Sequence, residues 1–282
     1  MTQRVRIDGL ESPIAPQERE ELAGGRNMLR RHRLLAFVVL VAALEAAVFL
    51  AQLGRDASPF ALVLIPALVA VSISGLTDGG VGLKRLGGRV GRWRVGTRWY
   101  LAAIGVPLIG FVGVALAGLA FGEFSLERLT DTLTVSAVLI PLVVFLPGIL
   151  EEFGWRGFGA QSAIEQGHSP AWAVVVVGGA HMLMHVPLYL PGHLYDATPL
   201  WPLPLMFLGY GVLQTWIFLR SGGSVLLAGL MHAALNAWVP LTWGLDPDWA
   251  WQARGVVFAV IGVLVVLWSG WEWWRGAAPA RS

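Results

Sequence analysis

Eight apolar stretches of about 20 residues constrain this chain more than any other feature, because a segment of that length and character crosses a bilayer as a helix. They run at 34–53, 58–76, 98–121, 132–150, 170–190, 199–220, 223–243 and 255–274. Hydrocarbon offers no water to exposed peptide groups, so a spanning segment must satisfy its own backbone. Continuous apolar runs of this length, without strict alternation, select helices over barrel strands. With 56% hydrophobic and 13% charged residues, the chain carries more apolar surface than one water-soluble core can hide. The expected fold is all-α, a polytopic membrane protein of about eight transmembrane helices around a polar catalytic cavity. Residues 34–274 form its one membrane domain. Residues 1–33, polar and bearing Pro13, Pro16, Gly24 and Gly25, are expected as a flexible cytoplasmic tail, and 275–282 as a short C-terminal one.

An even number of spans puts both termini on one side. If that side is the cytoplasm, all of the 20 Lys and Arg except Arg55, Arg128 and Arg254 lie there, as the bias of short cytoplasmic loops requires. The expectation is an integral, multi-pass membrane protein with cytoplasmic termini, in the cell membrane if the source is prokaryotic. The formal charge of +2 is then a juxtamembrane bias, and no nucleic-acid partner is implied. Residues 79–100, GGVGLKRLGGRVGRWRVGTRWY, suit an amphipathic stretch on the anionic leaflet. Absence of cysteine excludes disulfides, a thiol nucleophile and thiolate metal ligands.

Against this background the polar residues stand out. Glu151 and Glu152 are adjacent in apolar sequence, where an ionised carboxylate costs about 2.5 to 3.5 kcal/mol on insertion scales and persists only where partnered or useful. Arg156 lies four residues beyond Glu152, on the same helical face and in the favourable orientation for an ion pair. His181 and His185 share another face at the same spacing, as do His232 and Asn236. Gly167-His168-Ser169-Pro170 reads as a turn between helices, ended by Gly, capped by Ser and restarted by Pro. Glu151 and His185 each lie 17 residues from His168. Straight helices would therefore bring them level, about 25 Å from the turn at 1.5 Å per residue. Ser221-Gly222-Gly223-Ser224 marks a second turn before His232. Glu45, alone in the first span, reads as structural or snorkelling, and His168 and His193 as loop residues without chemistry.

At these residues the chain resembles a known family. Glu151-Glu152-Phe153-Gly154-Trp155-Arg156-Gly157 matches the EExxxR motif, in its EExxWRG context, of the CPBP (Abi) intramembrane proteases, relatives of the type II CAAX prenyl endopeptidase. His185-Val186-Pro187 resembles the second motif, an aromatic residue followed at the fourth position by His. His232 to Asn236 matches the third, HxxxN. The position four before His185 is His181 where the family has an aromatic, and the alternative reading makes His181 the motif histidine with Val177 in the aromatic place. The similarity is most convincing over residues 90–243.

The resemblance implies a hydrolase acting on peptide bonds inside the membrane, a CAAX prenyl protease-like endopeptidase, with Glu151, Glu152, Arg156, His185, His232 and Asn236 as site residues. Two mechanisms share them. In one, Glu151 is general base to a water also held by His185, and His232 and Asn236 donate to the oxyanion. In the other, a metalloprotease, Zn²⁺ sits on Glu151, His185 and His232 with an open position for water. Glu152 and Arg156 brace the helix in both. The expected partners are the lipid bilayer and a peptide or lipidated-protein substrate, in a cavity open to the cytoplasmic leaflet. The competing function is non-catalytic: a membrane peptide-binding or bacteriocin self-immunity protein. A proton-coupled transporter would show related halves with broken helices, and no internal repeat is seen.

Overall fold

A computed structural model describes residues 16–52, 60–132, 135–193 and 195–276. The helices, in order, are α1 (Pro16–Arg31), α2 (Arg33–Gln52), α3 (Phe60–Val90), α4 (Thr97–Ala120), α5 (Leu126–Thr132), α6 (Val135–Gly154), α7 (Gln161–Glu165), α8 (Pro170–Ala173), α9 (Gly179–Leu183), α10 (Pro202–Arg220), α11 (Val225–Ala237), α12 (Pro247–Ser269) and α13 (Trp271–Trp274). Among the described residues the only extended pairing is an isolated bridge between Phe124 and Leu245. The protein is an all-α, polytopic membrane protein. Helical segments at 33–51, 62–90, 97–120, 202–220, 225–242 and 247–269 are long and apolar enough to cross a membrane.

The two remaining expected spans behave differently. The stretch 132–150 is α6, which carries the paired glutamates at its C-terminal end. The stretch 170–190 is a broken helix: α8 passes through a π-helical turn (Val174–Gly178) into α9, and a 3₁₀ turn (Val186–Tyr189) follows. The last span also begins earlier than hydropathy places it. Asp246 caps α12 by accepting from the Trp249 amide at 3.0 Å, and Pro247 takes the first helical position. Of the expected N-terminal tail, residues 16–31 form α1, and Arg30 near its end pairs with Asp78 of α3 at 2.9 Å. Residues 1–15, Arg55 and residues 277–282 of the C-terminal tail lie outside the described residues.

Both turns expected from the sequence form. Gly167 has φ 85°, and Ser169 accepts from the Trp172 amide at 3.2 Å. Gly222 and Gly223 have φ 73° and 82°, and Ser224 caps α11. Both lie at one end of the bundle, where the basic residues are spent on tying segments together. Arg33 and Arg89 pair with Glu165, the latter at 3.0 Å, Arg89 also donates to the Gly157 carbonyl at 3.0 Å, and Arg92 donates to the Gly222 carbonyl. Burial pushes the Glu165 carboxyl up, but the hydrogen bond from Gln161 and the two guanidinium groups outweigh it and hold it below its ordinary value. The amphipathic stretch expected at 79–100 is thus the end of α3, continued past a backbone break at Gly79 (φ 58°, ψ −147°), then a loop and the start of α4.

Small residues set how closely the helices approach, the usual device where lipid supplies no hydrophobic drive between helices. The contact of α6 with α11 matters most, because each carries part of the site. A Cβ on Gly148 would stand 3.1 Å from the Gly229 carbonyl oxygen, and one on Gly229 would stand 2.6 Å from Ile149 Cγ1 and 2.8 Å from its Cα. The two backbones therefore meet a turn before Glu151 and His232. Gly229→Ala is expected to destabilise by about 1 to 3 kcal/mol, the range for overpacking a filled site. Thermal unfolding in detergent checks this, and an unchanged midpoint would refute the close crossing.

Candidate active site

The end of α6 carries the carboxylates, and a π-helical turn (Trp155–Ala160) follows directly and carries Arg156. Such turns rotate the residues after them out of α-helical register and are frequent at functional sites. Glu152 and Arg156 are sealed in the interior, 0% and 1% exposed. Arg156 Nη1 donates to Glu152 Oε1 at 2.9 Å, as the sequence spacing predicts. His232 Nδ1 donates to the same oxygen at 2.9 Å, from α11. Glu152 therefore neutralises Arg156 and also fixes the ring of His232. Among the described residues Arg156 Nε and Glu152 Oε2 have no hydrogen-bond partner.

Glu151 meets the broken helix. Its Oε2 accepts from His181 Nε2 at 3.2 Å. The His181 ring lies stacked on Trp155 (centroids 4.8 Å apart, planes at 17°) and edge-on to Phe207 (5.3 Å, 85°), so packing fixes its plane. His185 is one turn further, and its Nδ1 lies 3.0 Å from the His181 carbonyl oxygen. A carbonyl can only accept, so Nδ1 carries the hydrogen and the neutral ring presents a lone pair at Nε2. The His181 centroid is 5.2 Å from that of His185 and 6.0 Å from that of His232.

The expectation that Glu151 faces His185 is corrected: Glu151 touches His181, and His185 is held by the His181 backbone. The physical reason is the π-helical turn on each leg of the hairpin, which breaks the uniform rise and rotation that straight helices would have. His181 is thus inside the site, a place the sequence reading left open. His185 and His232 still stand close enough to Glu151 to interact with it electrostatically.

A cavity of about 430 Å³ opens beside these groups, and His181, His185, His232, Asn236, Tyr210, Trp251 and Arg254 are among the residues that line it. Glu151 adjoins this wall through its contact with His181, and its side chain is 17% exposed. A further groove of about 490 Å³, almost wholly apolar, lies between α2 and the broken helix and contains Glu45. The 430 Å³ cavity is walled by the start of α10, the end of α11 and the start of α12, at the bundle end away from Arg89, Arg92 and Arg220.

Metal ligation needs three donors turned to one point. Among the described residues no group of three His, Asp or Glu side chains does so. Glu151 is engaged by His181. The donor set as placed does not form the zinc cage expected from Glu151, His185 and His232.

These parts form a polar cluster in an apolar bundle: three histidines and an amide on a cavity, with a carboxylate hydrogen-bonded to one of the histidines. Residues 132–238, which contain every one of those side chains, match the family model described as Type II CAAX prenyl endopeptidase Rce1-like. A curated relative, the CAAX prenyl protease 2 of Methanococcus maripaludis, is 24% identical over 170 residues, 57% of this chain. The match spans 62% of that relative's length.

Proposed function

We propose that the protein is an intramembrane endopeptidase that hydrolyses a peptide bond of a membrane-associated substrate, with Glu151 as general base. The observation that carries this is the meeting of His181, His185, His232 and Asn236 at one cavity inside an apolar bundle, with Glu151 held against it through its hydrogen bond from His181. A water donating to Glu151 and to His185 Nε2 loses its proton to Glu151 as its oxygen attacks the carbonyl carbon. The Asn236 amide donates to the developing oxyanion, joined by His232 Nε2 when that ring is doubly protonated. Collapse breaks the C–N bond, and Glu151 returns the proton to the leaving amine. His181 holds the base in place through its hydrogen bond. No step is routed through a metal.

The family and the name of the relative suggest prenylated CAAX proteins as substrates. The test is cleavage of a panel of quenched fluorescent peptides, prenylated and unprenylated, by the purified protein with and without a zinc chelator. Turnover is expected, and the chelator is expected to leave it unchanged. Activity lost on chelation and restored by zinc would replace the glutamate-only scheme with the metal one. No turnover on any peptide would count against a protease and favour the peptide-binding or immunity role.

A further inference from the structure

Arg254 lines the same cavity from α12, and nothing in the hydrolytic scheme uses it. Its Nε donates to the Ala250 carbonyl at 3.2 Å, and its guanidinium lies 4.9 Å from the Trp251 ring centroid. Among the described residues it enters no ion pair. Its ionisable neighbours are the hydroxyls of Tyr210, Tyr195 and Tyr189, none of them a carboxylate. Burial pushes the Tyr195 hydroxyl up, so that phenol is neutral and supplies no counter-charge.

A guanidinium stays charged at any physiological pH, and an unpaired one inside a membrane is costly. A structural arginine in such a place has a carboxylate, as Arg156 has Glu152. A snorkelling arginine turns its head to the interface, whereas this one lines the cavity. Nη1 and Nη2 offer parallel N–H groups, the fork that carboxylates accept in bidentate fashion. We infer that Arg254 is the specificity residue of this cavity, binding a carboxylate of the substrate so that cleavage falls close to that group. The inference rests on the peptidase reading, since it is a peptide in this cavity that would bring the carboxylate. The group is the chain terminus of the substrate or an acidic side chain near it.

The test uses a fluorescently labelled apolar peptide in three forms: free C-terminal acid, C-terminal amide, and amide with Asp before the last residue. Affinity and cleavage are both measured with the wild-type, Arg254→Met and Arg254→Lys proteins, each first shown to unfold at the wild-type temperature. The wild type is expected to bind the plain amide about 10- to 100-fold more weakly than the acid, the worth of hydrogen bonds to a charged group. Arg254→Met should bind both alike, and Arg254→Lys should recover part of the preference. Asp-amide binding like the acid would identify a side-chain carboxylate, and like the plain amide a terminal one. Equal binding of all three peptides by the wild type, or a preference that survives in Arg254→Met, would overturn the inference. Cleavage without preference sinks this inference alone, whereas preference without cleavage of any peptide sinks the peptidase reading and leaves the carboxylate site.

Discussion

Glu151→Gln should lower kcat by about 10²- to 10⁴-fold, the usual worth of a positioned general base, with KM and the unfolding temperature near those of the wild type. The replacement has nearly the same shape, and its amide oxygen can still accept from His181 Nε2, so the contact at 3.2 Å can survive while the proton acceptor is lost. A fall in kcat and kcat/KM together is the signature of a group that acts in the transition state and not in binding. His181→Phe provides the contrast. It keeps a ring for the stack on Trp155 and the edge contact with Phe207 but has no hydrogen to donate to Glu151. Its kcat should fall between those of the wild type and Glu151→Gln, because a displaced base still works at reduced rate. Single-turnover cleavage by the three proteins decides the matter. Wild-type kcat in Glu151→Gln would remove the base assignment.

How much of this was legible in the sequence can be judged residue by residue. The apolar runs gave the helices, because length and hydropathy are what a bilayer reads. Gly167 to Pro170 and Ser221 to Ser224 gave the turns, because their chemistry is local. The Glu152–Arg156 pair followed from helical spacing. Its third member, His232, lies 80 residues away and needs the α6–α11 crossing at Gly148 and Gly229, which no local pattern announces. Glu151 was expected against His185, since hydropathy does not reveal π-helical turns and each leg of the hairpin has one. The signal that could have placed His181 was present: a histidine where the family carries an aromatic still fills the aromatic place, stacked on Trp155, and adds a donor. Asp246-Pro247 was a readable helix start, overridden by a hydropathy window that Asp248 and Arg254 depress. That override put Arg254 in an outer loop and hid its place in the cavity wall.

Glu152→Ala should destabilise the protein by about 3 to 5 kcal/mol, the cost of removing one partner from a buried ion pair and leaving the other charged in the interior. Glu152 is fully buried, and its Oε1 takes hydrogen bonds from both Arg156 and His232 at 2.9 Å. Stability and function separate in the double variant Glu152→Leu with Arg156→Met. Both charges leave together, and apolar groups of similar volume replace them, an exchange that is often neutral or stabilising. The double variant should therefore unfold near the wild-type temperature in detergent, while Glu152→Ala alone does not. Its activity should nonetheless stay low, because His232 has lost the acceptor that fixes its Nδ1–H, and a histidine without that partner has neither a set tautomer nor a set ring plane. Thermal unfolding and kcat for the wild type, Glu152→Ala and the double variant make the comparison. Full activity in a stable double variant would reduce Glu152 and Arg156 to a brace between helices. Low activity at restored stability would show that Glu152 acts on the reaction through His232.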